Sequence, residues 1–306
     1  MNIINLKGNN VEGASRYING EVIQFDQKND GFKRPFWDPK MARVRENFYF
    51  AKVPPKKIPG YELKDQSAVN ASWLLDSKYA NGNNGGKQGL YNWEWDGCFD
   101  FPRVPSGCKT PEMEPHILTQ QIKKMAAFFG ASLCGICKVD ARWLYSSAFI
   151  GDRKGGRSVP LDFPKTCRYA VVLAFEMDYD VIQYSPAHPA SIAVGLGYSK
   201  MAFTTGLLAQ YIRGLGFQAI PSGNDTACSI PLAIDAGLGE IARNGLLVTP
   251  AFGPRVRLAK VFTDMPLISD MPMEFGVWEK AESQSILAIL NSIAYYQIDG
   301  SPRILI

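Results

Sequence analysis

The sequence lacks the short motifs that mark most nucleotide-dependent and hydrolytic enzymes. It contains no GxGxxG after a predicted strand, no GxxxxGK followed by Ser or Thr, and no GxSxG, so nicotinamide, nucleotide and serine-hydrolase chemistry lose their usual support. The two histidines, His116 and His188, are too few for a histidine-rich metal centre. The net charge is +4, without a cluster of Lys and Arg interleaved with aromatics, so no nucleic-acid partner is expected.

Long apolar runs and export signals are also absent. No stretch of eighteen apolar residues occurs, and the sequence therefore predicts no membrane-spanning helix. The first twenty residues show neither the basic-then-apolar order of a secretory signal nor a twin-arginine pair. The composition is that of a globular protein, with 306 residues, 46% of them hydrophobic and 20% charged, which is enough for one substantial core with an accessory region.

Cysteines are few and scattered, at positions 98, 108, 134, 137, 167 and 228. Only Cys134 and Cys137 have the spacing of a metal or redox pair. They lie within the apolar run 133–139, which predicts a buried strand, and residues three apart on a strand point to opposite faces. No second CxxC or CxxH completes a site, so the sequence favours a structural role for this pair over a metal or redox role.

The chain divides into two regions of different pattern. Residues 1–110 are rich in Asn, Gly, Pro and aromatics with little periodicity, which predicts an irregular region that wraps a core. Its aromatic side chains either pack structurally, the favoured interpretation for any single Trp, or line a small apolar pocket. Further along, helical patterns alternate with short apolar strands, including a helix at 115–130, strands at 133–139 and 169–175, and a long helix at 189–214. This alternation indicates an α/β or α+β layered core.

Residues 222–266 form the stretch around which the chain is organised. They combine a polar turn at 222–225, a short helix that Gly237 and Gly239 end, a second turn at 243–245, and Gly253 before a strand at 255–261. Charged and apolar residues alternate along that strand, which predicts one wet face bearing three cations. Glycine turns beside a cationic strand suit an extended ligand rich in amides or phosphates. An ordinary helix-loop-strand packing unit explains the pattern equally well.

Residues 236–267, AGLGEIARNGLLVTPAFGPRVRLAKVFTDMPL, closely resemble the corrinoid-binding core of the reductive dehalogenases and, more loosely, the cobalamin-dependent epoxyqueuosine reductases. The resemblance extends over residues 115–277. It implies an α/β (α+β layered) fold, with a nitroreductase-like corrinoid-binding core and an irregular aromatic-rich N-terminal region. The implied domains are an N-terminal wrapping region at 1–110, a corrinoid-binding catalytic core at 111–266, and a shortened remnant of the iron–sulfur region at 267–306.

Two shorter elements carry the catalytic residues that the resemblance implies. DARWLYS at 140–146 resembles the family's RWxYS element, whose tyrosine is the proposed proton donor, and this implies that role for Tyr145. YSKMA at 198–202 resembles the element YS(R/K)MA, whose basic residue lies in the active site, and this implies that Lys200 is an electrostatic partner that lowers the pKa of Tyr145. By helical spacing alone, Lys200 shares a face with Phe203 and Leu207 and is expected to snorkel to the surface.

The cofactor that the resemblance implies is cobalamin, bound base-off without a histidine ligand, and neither histidine lies in a DxHxxG context. The implied cradle comprises Ser222, Gly223, Asn224, Asp225, Gly237, Gly239, Arg243, Asn244, Gly245 and Gly253. The family also carries two 4Fe–4S clusters, held by a CxxCxxCxxxCP run and a second cysteine set. Here residues 280–286 read KAESQSI and no cysteine follows Cys228. We therefore expect both cluster sites to be absent, so that only an exogenous low-potential donor reduces the cobalt and natural turnover is weak or missing.

The resemblance predicts an oxidoreductase, namely a reductive dehalogenase that removes halide from a small organohalide in organohalide respiration. The alternative is a corrinoid-binding or carrier protein without dehalogenase activity, and a globular domain without a cofactor is the least specific interpretation. Members of the family are exported and held at the outer face of the cytoplasmic membrane beside a small membrane-anchor protein. We expect the same membrane-associated location and partner here, and, since no export signal is present, either a mature form or an incomplete gene product.

Overall fold

The computed structural model describes residues 13–79, 113–152 and 155–277. Its strands are β1 Leu133–Lys138, β2 Ser147–Asp152, β3 Gly155–Pro160, β4 Tyr169–Glu176, β5 Ala219–Ser222, β6 Glu240–Ile241, β7 Leu247–Val248 and β8 Val256–Thr263. Its helices are α1 Ala42–Arg45, α2 Leu63–Ser72, α3 Leu74–Tyr79, α4 Pro115–Phe128, α5 Tyr179–Ile182, α6 His188–Gly214 and α7 Ser229–Asp235. Short 3-10 helices lie at Gly13–Tyr17, Gln27–Asn29, Arg34–Phe36, Pro39–Met41 and Ala141–Trp143, and a π-helical turn lies at Glu46–Phe50.

A four-stranded antiparallel sheet in the order β1-β4-β8-β5 forms the centre of the fold. Its strand β4 is buried on both sides because successive residues alternate between two hydrophobic layers. Val171, Leu173 and Phe175 face the layer that contains α4 and α6, whereas Val172 and Ala174 face the layer that contains α7. All five side chains are fully buried. The α+β layered fold class is therefore confirmed.

The elements predicted between residues 115 and 263 are confirmed in outline. The helix that Pro115 opens buries Leu118, Ile122 and Ala126, which recur at helical spacing. Asp140 caps the 3-10 helix Ala141–Trp143, because its Oδ1 accepts a hydrogen bond from a backbone N–H of that turn at 2.9 Å. The antiparallel hairpin of β2 and β3 has no strand pattern in the sequence, since glycines occupy positions 151, 155 and 156.

Helix α6 is long and apolar enough to cross a membrane, judged by length and composition alone. In this fold it packs against β4, β5 and β8, and 56% of its most apolar window is buried inside the structure. A buried core helix passes the same test, so α6 gives only weak evidence for a membrane span.

The N-terminal region contains helices that the sequence pattern does not predict. Helices α2 and α3 pack on α6, although Leu63 and Leu74 at their starts are 66% and 51% exposed. A capping box between Glu62 and Asp65 begins α2. The domain boundary expected near residue 110 and most of the expected iron–sulfur remnant lie outside the described residues, so the division into three regions stays a prediction.

Cys134 and Cys137 point to opposite faces of β1, as their spacing predicts. Cys137 lies in the layer that contains α7, and Cys134 packs against the layer that contains α4 and α6. Burial raises the pKa of the Cys134 thiol to about 12 and also raises that of Cys137, so both thiols stay protonated and unreactive. Within residues 13–79, 113–152 and 155–277, no group of three or more His, Cys, Asp or Glu side chains is placed to hold a metal ion.

Candidate functional site

Strand β8 carries its cations differently from the sequence prediction. Arg255 and Arg257 are half-buried, but Lys260 is fully buried. The prediction of one wet face with three cations is wrong, because residue 260 follows residue 257 by three and therefore points to the opposite face. On that face Leu258 and Phe262 belong to the layer that contains α7. A cation in such a layer needs hydrogen-bond partners within the fold.

Lys260 finds these partners in the loop that follows β5, here called the 223–229 loop. Its Nζ donates to the carbonyl oxygen of Gly223 at 2.5 Å, to that of Ala227 at 2.9 Å, and to Oγ of Ser229 at 3.0 Å. Burial lowers the pKa of Lys260 to about 8, while the negative charge of Asp225 acts in the opposite direction. Lys260 thus ties both ends of the loop to the central sheet.

The 223–229 loop contains a strained residue. Thr226 has a φ of 68°, in the left-handed region that residues other than glycine rarely adopt. Two short contacts brace the backbone around it. Oγ of Ser222 donates to Oγ1 of Thr226 at 3.1 Å, and Oδ1 of Asp225 accepts from the Gly223 N–H at 2.6 Å. Strain of this kind persists only where the surroundings over-determine the conformation, so the loop is held in one arrangement.

Tyr145 lies directly against this loop. Its backbone N–H donates to the carbonyl oxygen of Thr226 at 2.9 Å. Its hydroxyl donates to the carbonyl oxygen of Asn224 at 3.4 Å, which is long for a hydrogen bond. The ring packs on Phe25 with 5.5 Å between centroids, and the residue is 8% exposed. The predicted proton donor and the first predicted cradle turn are therefore neighbours.

The electrostatic environment of Tyr145 is the opposite of the expected one. Burial raises the pKa of its phenol well above the ordinary value, and the nearby Cys228, Asp30 and Asp225 raise it further. The phenol is thus a weaker acid than a free tyrosine. A raised pKa differs in direction from the lowering that a neighbouring ammonium would cause, and the effect of Lys200 on this phenol stays a prediction.

Lys200, the predicted electrostatic partner, lies on the outer face of α6. Its side chain is exposed, as are Phe203 at 49% and Leu207 at 38%. The exposure of Lys200 agrees with the expected snorkelling, whereas an apolar stripe is expected to face the core and Phe203 and Leu207 do not. Among the described residues, Asp30 and Asp225 are the carboxylates whose charge raises the pKa of the Tyr145 phenol. The catalytic role of Lys200 stays a prediction that rests on the family motif.

Two of the predicted cradle glycines are explained by close packing of the protein itself. A Cβ added at Gly237 would lie 2.4 Å from the carbonyl oxygen of Met271, and one added at Gly239 would lie 2.1 Å from that of Val248. The space beside both glycines is therefore filled by backbone. These two positions do not fit a direct contact with a cofactor on that side.

Residues 243–245 and Gly253 have the backbone conformations and hydrogen bonds that tight turns need. Oδ1 of Asn244 accepts from the Leu246 N–H at 3.0 Å, and Gly245 and Gly253 have φ values of 83° and 57°. Arg243 is exposed beside them. This geometry is compatible with a ligand but does not require one, so the cofactor-binding role of these four residues stays a prediction.

The turn of Ser222, Gly223, Asn224 and Asp225 fits an amide-rich cofactor better. Ser222 and Gly223 are buried beneath it, whereas Asn224 is exposed at its tip. A corrinoid carries amide side chains around its ring, and an exposed amide on a rigid loop is able to pair with them. The described residues therefore fit a corrinoid at this turn, and the cofactor-binding roles of Gly237 and Gly239 stay predictions.

Sequence reasoning placed Asp225 in the cradle turn but missed Asp76, a second carboxylate whose pKa Asp225 affects. Burial and the charge of Asp225 raise the pKa of Asp76, in α3, to about 6. Burial likewise raises the pKa of Asp225, against the lowering effect of Lys260. No local pattern was able to find this pair, because the two residues lie on separate elements that only the tertiary fold brings together.

Comparison with known proteins shows which proteins this chain is related to. No protein-family model matches the chain. The tetrachloroethene reductive dehalogenase of Desulfitobacterium hafniense is 38% identical over 224 residues, which is 62% of this chain and 40% of that protein. The tetrachloroethene reductive dehalogenase of Sulfurospirillum multivorans is 31% identical over 274 residues, which is 81% of this chain and 54% of that protein. The chain is a homologue of the reductive dehalogenases.

Solved reductive dehalogenases share the fold of this homologue. The catabolic reductive dehalogenase NpRdhA matches with a TM-score of 0.57 at 22% identity, over 84% of this chain and 33% of that one, and is also known in complex with 3-bromo-4-hydroxybenzoic acid. A reductive dehalogenase structure that suggests a mechanism for B12-dependent dehalogenation also has a TM-score of 0.57. The resemblance drawn from the sequence is confirmed. The chain spans about half the length of the curated relatives, between 40% and 54%.

Proposed function

We propose that this chain carries the catalytic core of a B12-dependent reductive dehalogenase that acts on small organohalides. The observation that carries the proposal is the Tyr145 hydroxyl, which is buried and directed at the 223–229 loop. Sequence similarity to tetrachloroethene reductive dehalogenases supports the reaction class. Because the chain spans only part of the length of these relatives, the activity itself belongs to the proposal.

The reaction replaces a carbon–halogen bond with a carbon–hydrogen bond. Two electrons and one proton enter, the substrate carbon is reduced, and halide leaves. A corrinoid, if bound and reduced by an external donor, would supply the electrons, and the turn at 222–225 would hold it. Tyr145 supplies the proton, so its O–H bond breaks and a phenolate remains.

The surroundings of Tyr145 keep this proton in place before the reaction. Because burial and the nearby anions raise its pKa, the phenol is fully protonated at neutral pH. The phenolate that forms later needs a positive charge to stabilise it. The YSKMA motif is the sole support for assigning that role to Lys200, because its side chain is exposed on the outer face of α6.

Halide release by the purified chain tests this proposal. The chain is reconstituted anaerobically with hydroxocobalamin, reduced with Ti(III), and supplied with tetrachloroethene or 3-bromo-4-hydroxybenzoate. Tyr145→Phe removes only the hydroxyl and is expected to lower the rate about 100-fold or more, as loss of a general acid does. Tyr184→Phe, at a tyrosine that is 61% exposed, is the matched control and should keep the wild-type rate. Equal rates in wild type and Tyr145→Phe would remove the proton-donor role.

A corrinoid-binding or carrier function is the second candidate. It is favoured by residues 280–286, which read KAESQSI where the family resemblance leads us to expect a cysteine run. A carrier retains cobalamin but releases no halide even when Ti(III) supplies the electrons. The location at the outer face of the cytoplasmic membrane and the membrane-anchor partner remain part of the proposal and rest on the family resemblance.

A further inference from the structure

Tyr198, the first residue of the YSKMA motif, is held by two side chains from other elements. Its ring stacks on Trp73, with 4.9 Å between centroids and 23° between planes. The guanidinium carbon of Arg257, on β8, lies 5.0 Å from the centroid of the same ring, within the range of a cation–π contact. The ring of Tyr198 is therefore fixed relative to both the N-terminal helices and the central sheet.

Two glycines of α6 make this arrangement possible. A Cβ added at Gly195 would lie 2.4 Å from Cδ1 of Trp73, and one added at Gly197 would lie 2.9 Å from Cγ of Arg257. A glycine inside a helix costs about 0.5–1 kcal/mol relative to alanine. The two glycines leave space for the side chains that contact Tyr198: Gly195 for Trp73 and Gly197 for Arg257.

The hydroxyl of Tyr198 reaches the loop that Tyr145 faces. Nδ2 of Asn224 donates to the Tyr198 hydroxyl at 2.6 Å. The carbonyl oxygen of the same Asn224 accepts the hydrogen bond from the Tyr145 hydroxyl. Asn224 thus joins two phenols, one through its side chain and the other through its backbone. It lies exposed at the tip of the 223–229 loop, where the contact with Tyr198 adds to the hydrogen bonds that hold the loop from inside.

We propose that Tyr198 is a positioning residue for Tyr145. By holding Asn224, it fixes the carbonyl oxygen that accepts from the Tyr145 hydroxyl, and so it sets the position of the phenol oxygen from which the proton passes to the substrate carbon once that hydrogen bond breaks. The inference rests on the proposed role of Tyr145 as proton donor. Tyr198 acts only through Asn224, and its loss should therefore affect the chemical step and leave substrate binding unchanged.

A spectroscopic test needs neither cofactor nor substrate. The chain is labelled with 3-fluorotyrosine at position 145 alone, and its fluorine NMR signal is compared between variants. Tyr198→Phe and Asn224→Ala should each shift this signal, and the double variant should shift it no further, because both changes break the same link. Tyr211→Phe, on the same helix, is the control and should leave the signal in place. An unchanged signal in Tyr198→Phe and Asn224→Ala, or shifts that add in the double variant, would overturn the inference.

A kinetic test then asks whether the link matters for the reaction. In the halide-release assay with Ti(III), Tyr198→Phe is expected to lower kcat about fivefold, the effect of one hydrogen bond, with KM unchanged. A raised KM with unchanged kcat would mean that Tyr198 serves substrate binding and would contradict the positioning role. If wild type releases no halide, the proposed function fails, while the fluorine signal still decides whether Tyr198 positions Tyr145. A urea midpoint equal to that of wild type excludes a general loss of folding.

Discussion

Replacing Lys260 with methionine separates the cost of a buried charge from the benefit of its hydrogen bonds. Burial lowers the pKa of Lys260 from 10.5 to about 8. At about 1.4 kcal/mol per pKa unit, the folded state loses about 3 kcal/mol by keeping this ammonium charged at neutral pH. Lys260→Met removes that loss but leaves the buried carbonyls of Gly223 and Ala227 without their donor, at about 1–3 kcal/mol each. At neutral pH the unfolding free energy of Lys260→Met should therefore differ from that of wild type by no more than about 3 kcal/mol.

The pH dependence of this difference is the sharper prediction. Between about pH 8 and about pH 10.5 the unfolded chain still binds the Lys260 proton, whereas the folded chain has released it. Stability rises with pH wherever the unfolded state binds more protons. Wild type should therefore gain about 3 kcal/mol of unfolding free energy relative to Lys260→Met as the pH rises through this interval.

Urea unfolding followed by tryptophan fluorescence measures the difference at each pH. Lys124→Met, at an exposed lysine of α4, is the matched control for the loss of one positive charge. Its unfolding free energy should follow the same pH dependence as that of wild type. A difference between wild type and Lys260→Met that stays constant across the interval would refute the assignment of Lys260 as a buried ammonium with a lowered pKa.

Two further predictions concern packing and charge near the site. Gly239→Ala places a Cβ 2.1 Å from the carbonyl oxygen of Val248 and should lower the unfolding free energy by about 1–3 kcal/mol. Gly214→Ala meets no atom within 4 Å and should be neutral or stabilising, so equal urea midpoints for the two variants would contradict the packing at Gly239. Because the pKa of Asp76 is raised to about 6, the folded chain binds more protons between about pH 4 and about pH 6, and wild type loses stability as the pH rises through that window. The unfolding free energy of Asp76→Asn should exceed that of wild type by about 1–2 kcal/mol at neutral pH, after allowance for the partial exposure of Asp76. This difference should vanish below about pH 4. A variant less stable than wild type at neutral pH would refute the role of burial.

The core elements were predictable because their signals are local. Pro115 and the helical spacing of Leu118 and Ile122 define α4, and the unbroken apolar run at 169–175 defines β4. The burial of Lys260 was not predictable from local sequence patterns. Its offset of three from Arg257 is readable in the sequence, but only the fold shows that its face of β8 is covered by the layer that contains α7.

The arrangement of the site depends on tertiary contacts that local sequence patterns do not reveal. Tyr145 carries no distinguishing local pattern, and its position beside Asn224 depends on the bridge that residues 144 and 227 form between distant parts of the chain. For Lys200, the family motif and the helical spacing disagreed, and its exposure agrees with the spacing. The stacking of Trp73 on Tyr198 and the position of Asp76 were missed because the N-terminal helices that carry them have little apolar periodicity and pack on α6.

Retention of cobalamin tests most directly whether this chain forms the core of a corrinoid-dependent dehalogenase. The purified chain is titrated with hydroxocobalamin and desalted, and the visible spectrum of the protein fraction is recorded. We predict stoichiometric retention with the spectrum of base-off cobalamin, since no histidine of the chain is expected to bind the cobalt. A folded chain that emerges from desalting without cobalamin would contradict the proposed function.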